Sequence, residues 1–223
     1  MKAALALCLL LAPTQAAWTL QASLSAPDMA AQDQFGTSVS LSGDTPAIGA
    51  PNADISGSNG VRANMGATYI YVRSGTSWAQ QAKLTGAETA QDHFGTSVSI
   101  DGDSVVVGAR QFYGFAGLAY VFVRSGTPWS QQGKFSAAVP SPGVPGDSFG
   151  AAVGISGNYV IVGAYLHAPS SLINDLDKGA TYMFERSGVT WSTTEQVKLN
   201  ASAAASEDYF GTSVSIHGDS AVA

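Results

Sequence analysis

The sequence predicts an all-β protein in which one four-stranded antiparallel sheet is repeated along the chain, and three observations predict it. Phe-Gly pairs recur as Phe35-Gly36, Phe94-Gly95, Phe149-Gly150 and Phe210-Gly211, at spacings of 59, 55 and 61 residues. Tryptophans fall at Trp18, Trp78, Trp129 and Trp191, at matching spacings of 60, 51 and 62. Three ten-residue segments align without a gap: "GATYIYVRSG" from Gly66, "GLAYVFVRSG" from Gly117 and "GATYMFERSG" from Gly179. Self-similarity at a fixed period of this length marks a repeat architecture. Each unit reads as one blade of a β-propeller, incomplete here, with about three full blades plus parts. Measured from tryptophan to tryptophan, the units lie near residues 18–78, 79–129, 130–191 and a shortened 192–223.

Within one unit the four strands have different characters. The first runs from Phe94 to Ile100, with Phe94, Thr96, Val98 and Ile100 on one side and Gly95, Ser97 and Ser99 on the other, the period-2 alternation of a strand. One side is bulky and the other nearly bare. By the same pattern the strand starts at Phe35, Phe149 and Phe210 in the other units. Gly102-Asp103 follows as a two-residue turn for a tight hairpin, since glycine accepts positive φ. The second strand, "SVVVGA", is almost wholly apolar, which implies burial on both faces. The third, "LAYVFVR", is aromatic and β-branched; the fourth, "WSQQGKF", is the most polar and therefore the outer edge, where polar groups discourage edge-to-edge pairing. Small residues on the first strand let neighbouring blades approach near the axis.

The N-terminus departs from this pattern. "MKAALALCLLLAPTQAAW" has one early lysine, an apolar run and then small residues, which reads as a secretory signal peptide over residues 1–16. The propeller then occupies 17–223. Cys8 is the sole cysteine and lies inside the leader, so the exported chain relies on packing rather than disulfides. A secreted or cell-surface location follows. "WTLQASL" after the leader has the fourth-strand pattern, and the chain stops inside the second strand of its fourth unit. This reads as part of a longer protein, and an open arc of blades is expected to be poorly soluble on its own.

The net charge of −6, with 16 acidic and 10 basic residues and no basic run, argues against nucleic acid as a partner. No later segment approaches the roughly 20 apolar residues of a membrane-spanning helix.

The repeated Phe-Gly, Val-x-Ile and Gly-Ala elements, completed to Gly-Ala-Pro by Pro51 in the first unit, resemble FG-GAP repeats. These are the blades of the N-terminal β-propeller of the integrin α-subunit and of many secreted bacterial and algal proteins. The resemblance implies a propeller with a role in recognition or cell adhesion. Integrin repeats carry an Asp-rich calcium loop between the Phe-Gly and Gly-Ala-Pro strands. Here that place holds only "SGD", "DGD", "SGN" and "HGD", too short to wrap a cation that takes six to eight oxygens. The chain is therefore similar to the bacterial-type variant without calcium loops, and no cofactor is expected.

Because antiparallel strands alternate in direction, turns 1–2 and 3–4 share one face of the propeller and turns 2–3 and 4–1 share the other. The 2–3 connections vary, with 15 residues over Pro51–Met65, 7 over Arg110–Ala116 and 14 over Tyr165–Lys178. Variable loops on a regular scaffold are the usual place of recognition. Candidate ligand contacts there are Phe112, Tyr113 and Phe115, which would stack on sugar, anchor a partner or fill the blade top, together with Asn52 and Asp54. Asn174, Asp175 and Asp177 are weak metal candidates. They lack the spaced Asp-x-Asp-x-Asp-Gly pattern, and local turn formation accounts for them.

Asp33, Asp92, Asp147 and Asp208 precede each Phe-Gly by two residues and read as strand-entry bonds. Arg73, Arg124 and Arg186 precede Ser-Gly and read as edge solubility or blade-to-blade ion pairs. His93 stands where Gln34, Ser148 and Tyr209 stand elsewhere, which signals tolerance. His167 and His217 lack a second ligand at metal spacing. No nucleophile elbow, paired cysteine motif or phosphate loop is present. The expected function is binding of an extracellular protein or glycan through the variable-loop face. The alternative is the propeller of an extracellular carbohydrate-active enzyme whose catalytic residues lie outside this stretch, and an inert spacer is a third reading.

Overall fold

The computed structural model describes residues 6–10, 19–57, 60–86, 92–110, 117–137, 146–168 and 177–223. Most of the leader, Trp18 and the loop candidates Phe112, Tyr113, Phe115, Asn174 and Asp175 lie outside the described residues. The described chain is strand and turn. In order the strands are β1 (Ala6–Leu10), β2 (Thr19–Leu24), β3 (Ser38–Ser42), β4 (Thr45–Ala50), β5 (Ile55–Gly57), β6 (Gly60–Arg62), β7 (Ala67–Ser74), β8 (Ser77–Leu84), β9 (Phe94–Asp101) and β10 (Ser104–Ala109). They continue as β11 (Leu118–Arg124), β12 (Trp129–Phe135), β13 (Ala152–Ser156), β14 (Tyr159–Ala164), β15 (Ala180–Ser187), β16 (Thr190–Trp191), β17 (Val197–Leu199), β18 (Ser215–His217) and β19 (Ser220–Val222).

Two complete antiparallel sheets run β3-β4-β7-β8 and β9-β10-β11-β12. The third is β13-β14-β15, with both β16 and β17 along its outer edge, and β18-β19 is the start of a fourth. The outer strand of the third sheet is split because "WSTTEQVKL" spends nine residues where "WAQQAKL" spends seven. The extra length leaves the ladder between Trp191 and Val197. Each tryptophan-led strand closes the sheet begun by the preceding Phe-Gly, so sheets and Trp-to-Trp repeats are out of phase by one strand. Gln21 in β2 takes the place of Gln81 in β8: Trp78 Nε1 donates to Gln21 Oε1 at 3.2 Å and Trp129 Nε1 to Gln81 Oε1 at 2.8 Å. β2 thus holds the outer-strand position ahead of the first full sheet, with the backbone of β1 paired to it. The segment after it is tied down by Asp28, which accepts from Tyr69 Oη at 2.9 Å and Lys83 Nζ at 2.6 Å. Burial works to raise the Asp28 pKa, and those two partners outweigh it and hold the carboxyl below its ordinary value.

Cores form between sheets. Val105 and Val107 on β10, with Tyr120 and Phe122 on β11, pack toward the first sheet beside Ala47, Ile70 and Leu84. Val106, Ala119 and Val121 alternate to the other side and meet Phe149, Val153 and Ile155 of the third sheet. The second strand is indeed buried on both faces. Phe35, Phe94 and Phe149 are fully buried. They meet the third-strand Tyr69, Tyr120 and Tyr182 edge-on or tilted, with ring centroids 5.4–5.5 Å apart. Phe210 is only partly buried, although its backbone keeps the place of the others, with Phe210 N donating to Lys178 O at 3.0 Å as Phe94 N donates to Met65 O.

The bare side of the first strand is the joint between blades. Ser38 Oγ donates to Gly95 O and Ser97 Oγ to Gly150 O, both at 2.8 Å. Ile100 N donates to Ser40 Oγ at 3.1 Å and Ile155 N to Ser99 Oγ at 3.2 Å. The turn residue continues the series, with Gly102 N donating to Ser42 Oγ, Gly157 N to Asp101 Oδ2 and Gly218 N to Ser156 Oγ at 2.7–3.0 Å. At the third seam Ala152 and Gly154 replace the two serines, and Ile216 moves against the missing Gly154 side chain, its Cγ2 3.1 Å from where a Cβ would lie.

Glycines make this approach possible. A Cβ on Gly49, Gly108 or Gly163 would lie 1.9–2.0 Å from the carbonyl oxygen of the next blade's Gly95, Gly150 or Gly211. Thus the Gly of each Gly-Ala is bare because the next Phe-Gly backbone sits on it.

The expected start of the first strand holds in the second blade, where β9 begins at Phe94, and needs correction in the other three. Even in β9 the strand is bulged after Phe94, with Gly95 at φ +93° and Thr96 Oγ1 bonded back to His93 O at 2.7 Å. Elsewhere Phe35, Phe149 and Phe210 stand ahead of the strand altogether, because β3, β13 and β18 begin only at Ser38, Ala152 and Ser215. The reason is the glycine that follows each of them. Gly36, Gly150 and Gly211 adopt φ of +91°, +86° and +86°, a region outside the extended range of a strand. Phe149 and Phe210 make only isolated parallel bridges, to Gly117 and Gly179 of the preceding blade. Phe35 lies in a turn, its ring against Tyr69 of its own sheet. Outside the second blade the Phe-Gly pairs are thus seam turns that lead into the strand, and in the second blade the pair is a bulged strand start.

The hairpin glycines have another reason: Gly102 is at φ +55° with open space where a Cβ would be. Its partner Asp103 is not at positive φ, the pattern of a type II′ hairpin with glycine in first place. These two kinds of glycine separate by experiment. Gly102→Ala costs about 1–2 kcal/mol from backbone strain alone. Gly108→Ala forces two blade backbones apart and costs about 3 kcal/mol or more, as severe overpacking does. Urea unfolding of both variants measures the difference, and equal losses contradict the seam.

Candidate functional site: the variable-loop face

The two faces of the arc are built differently. On the short-turn face each of the three blades repeats one device. Arg124 Nε donates to Asp103 Oδ1 at 2.7 Å, its Nη2 lies 2.6 Å from the same oxygen, and its guanidinium stands 5.3 Å over the Trp129 ring. Arg73 does the same with Asp44 and Trp78, and Arg186 with Asn158 and Trp191. The arginines therefore clamp the 1–2 turn to the 3–4 hairpin inside one blade. The ion pairs of Arg73 and Arg124 lie within one sheet rather than between blades, although Arg124 Nη1 also donates to Gln81 Oε1 of the preceding sheet at 3.3 Å. The clamp also occupies the turn carboxylates Asp44 and Asp103. In the third blade Trp191 Nε1 has no partner among the described residues and the ring is buried, packed on Gly133 and 6.0 Å from Phe135.

On the opposite face the groups differ from blade to blade, but they hang on a repeated backbone. Gln34, His93, Ser148 and Tyr209, each just before Phe-Gly, all adopt left-handed φ of 52–59°, which is unusual for residues other than glycine. The main chain there does the structural work: His93 N donates to Asn64 O and Tyr209 N to Asp177 O, at 3.2 and 3.0 Å, across the blade joint. The side chain is then free to differ, and its position, level with the 2–3 loops, is constant.

Around these positions the loop candidates find partners. Asn52 Oδ1 is 3.1 Å from His93 Nδ1, and Asp54 Oδ1 accepts from Asn64 N at 2.9 Å. Both residues brace the first 2–3 connection, which contains the small β5-β6 hairpin. Asp177 is itself left-handed at φ 55°. Partial burial, then the neighbouring Glu207, raises its carboxyl above the ordinary value. Tyr165 accepts from Arg110 Nη1 at 3.1 Å and sets its ring edge-on to Tyr209, 6.0 Å away. The fold thus gathers Arg110, Tyr165, Asp177 and Tyr209 from the second, third and fourth units. Sequence reading singles out only Asp177 among them as a site candidate. Tyr165 replaces the proline of Gly-Ala-Pro, and that exchange is the available signal.

The third blade carries a further chain of groups. His167 Nδ1 lies 2.9 Å from Asp147 Oδ2, and Lys198 Nζ lies 2.7 Å from His167 Nε2. An ammonium only donates, so Nε2 accepts from Lys198 and the ring proton on Nδ1 goes to Asp147. The run ties the Phe-Gly entry, the 2–3 loop and β17 together, and compensates the split outer strand. Of the entry aspartates, Asp33 and Asp208 instead cap backbone N–H groups of Ala30 and Ala205, at 2.8 and 2.7 Å. Among the described residues no three His, Cys, Asp or Glu side chains converge as a metal cluster.

His93 titrates with a defined sign. Burial first, and the nearby Arg110 charge second, lower its pKa below the ordinary value of 6.5. Protonation therefore favours the unfolded chain. The stability contributed by keeping this ring neutral is present above pH 6.5 and is lost as pH falls toward the folded value. His93→Gln, which installs the first blade's residue, flattens that part of the pH–stability curve in urea titrations. An unchanged curve contradicts this account.

The sequence profile of the FG-GAP repeat matches residues 18–71, 78–122, 129–184 and 193–223. Each match begins on or beside a tryptophan-led outer strand and runs into the first strands of the next sheet, so the family's repeat crosses the blade joint rather than enclosing one blade. No curated protein matches the chain. With most of its length covered by four matched segments, and its Phe-Gly and Gly-Ala glycines meeting at every seam, the chain belongs to the FG-GAP repeat family.

Proposed function

We propose that this chain is a secreted or cell-surface module that binds an extracellular protein or glycan through the face formed by its 2–3 and 4–1 connections. The observation that carries the reading is the difference between the two faces. One repeats the same Arg–Trp clamp in all three blades, whereas the other holds a constant backbone and presents a different side chain each time. A scaffold that repeats its structural contacts and varies its loop groups separates folding from recognition. Tyr165 and Tyr209, beside Arg110, supply aromatic faces and donors suited to sugar rings or to a protein side chain. The leader pattern over residues 1–16 supports export, and residues 17–223 form the binding module.

The test is binding of the chain to immobilised polysaccharides and extracellular-matrix proteins. Tyr165→Ala/Tyr209→Ala lowers affinity for the ligand found by about tenfold or more, roughly 1.4 kcal/mol. Thr76→Ala, in the exposed 3–4 turn of the opposite face, leaves affinity within about twofold. Equal losses from both overturn the assignment of the face. Cleavage of a polysaccharide in the same assay favours the carbohydrate-active enzyme.

A further inference from the structure

Two outer-strand lysines hold the same place in different blades. Lys83 pairs with Tyr69 across the outer ladder of the first blade, and Lys198 with Tyr182 across that of the third. Each ammonium stands 5.3 Å over its tyrosine ring. Their acceptors differ. Lys83 Nζ donates to Asp28 Oδ2 at 2.6 Å, whereas Lys198 Nζ donates to His167 Nε2 at 2.7 Å. His167 stands where the first blade has Ala53. Ala53 N donates to Ala50 O and Ala53 O accepts from Gly66 N, as His167 N donates to Ala164 O and His167 O accepts from Gly179 N. The third blade has thus exchanged a carboxylate acceptor for an imidazole, and the exchange falls where the outer strand is least secured. β17 pairs with its ladder through three residues, and β8 through seven.

We propose that His167 is a proton-operated latch on the outer strand of the third blade: neutral, it holds Lys198, and protonated, it releases Lys198 and β17. The neutral ring donates its Nδ1 proton to Asp147 Oδ2 at 2.9 Å, which leaves the Nε2 lone pair for the ammonium. A second proton goes onto that lone pair. Nε2 then becomes a donor facing a group that only donates, and the contact becomes one between two cations, which repel. Asp147 keeps the imidazolium, because its carboxylate is buried at 1% exposure and pairs with the new charge. Among the described residues the other titratable group against the ring is Tyr182 of β15, edge-on at 6.2 Å. Burial, then Asp147 and Glu195, raise the Tyr182 pKa above its ordinary value. It therefore stays uncharged over about pH 5 to 8, where histidine ordinarily changes charge. Glu195, ahead of β17, is the remaining carboxylate that acts on this tyrosine. Lys198 is the partner that gives way, since it is exposed and water can take over its ammonium. The first blade has no such step. Against the opposing effect of burial, Lys83 and Tyr69 hold the Asp28 carboxyl below its ordinary value, so Lys83 keeps its acceptor throughout that range.

Hydrogen exchange of the peptide that covers Gln196 to Leu199, corrected for the intrinsic exchange rate, tests the latch at about pH 8 and about pH 5. A His93→Gln background removes the pH response of that other ring. The expected result is a loss of protection of about tenfold or more at the acid pH, while β12 of the second blade changes by less than about twofold. Lys198→Met, at an exposed position, leaves β17 weakly protected at both pH values. His167→Gln does not titrate and removes the pH step. Equal protection of β17 at the two pH values in the parent overturns the proposal. So does an acid loss that persists in Lys198→Met or in His167→Gln.

Discussion

The architecture depends on one contact: the backbone of each Phe-Gly turn resting directly on the Gly-Ala backbone of the preceding blade. A Cβ at Gly49, Gly108 or Gly163 would fall only 1.9–2.0 Å from a carbonyl oxygen, so no side chain of any kind fits there. Once the backbones are that close, only small residues suit the strand beside them, and serine supplies bonds that an apolar small residue does not. The large side chains are driven to the other surface, where Phe94, Val98 and Ile100 find the core left by the earlier blade. Thus a steric requirement at one glycine per blade sorts the polarity of a whole strand. It also explains why the recurring words of the repeat, Phe-Gly and Gly-Ala, come into contact from different sheets.

The seams are equivalent in geometry and unequal in bonding. Between the first three sheets, side-chain hydroxyls and a carboxylate run the length of the joint, whereas at the third joint Ser156 alone remains of that series among the described residues. Gly154 and Ile216 substitute van der Waals contact for hydrogen bonds there. The third blade is irregular in other ways too, with its divided outer strand, a buried indole lacking a partner among the described residues and the Asp147–His167–Lys198 run. These departures are connected. Extra residues after Trp191 displace the outer strand, and Lys198, paired with Tyr182 across the ladder, draws it back through His167.

Much of this is legible in the sequence because strand alternation and turn chemistry are local. Ser97 and Ser99 opposite Val98 and Ile100 disclose a bare and a bulky side, and Gly102-Asp103 discloses the hairpin. What is not legible depends on distance along the chain. Asp103 and Arg124 meet 21 residues apart and Asp147 and His167 20 apart, through pairings that no local pattern encodes. The turns at Phe35, Phe149 and Phe210, and the bulge after Phe94, pass for plain strand because glycine fits the alternation as well as it fits a positive φ. The nine-residue outer strand of the third blade is visible as a longer word, yet its consequence needs the ladder. Of the candidate site, the choice of face rests on connectivity, while the meeting of Arg110, Tyr165 and Tyr209 requires three units to be brought side by side.

The left-handed residue ahead of each Phe-Gly has an evolutionary meaning. The same left-handed backbone is kept whether the residue is glutamine, histidine, serine or tyrosine, and at His93 and Tyr209 the main chain also bonds across the joint, so a substitution at this point changes what the rim displays while the backbone path is retained. A chain with several such interchangeable stations resembles a row of sockets. Side chains there can be exchanged one station at a time, at little risk to the fold.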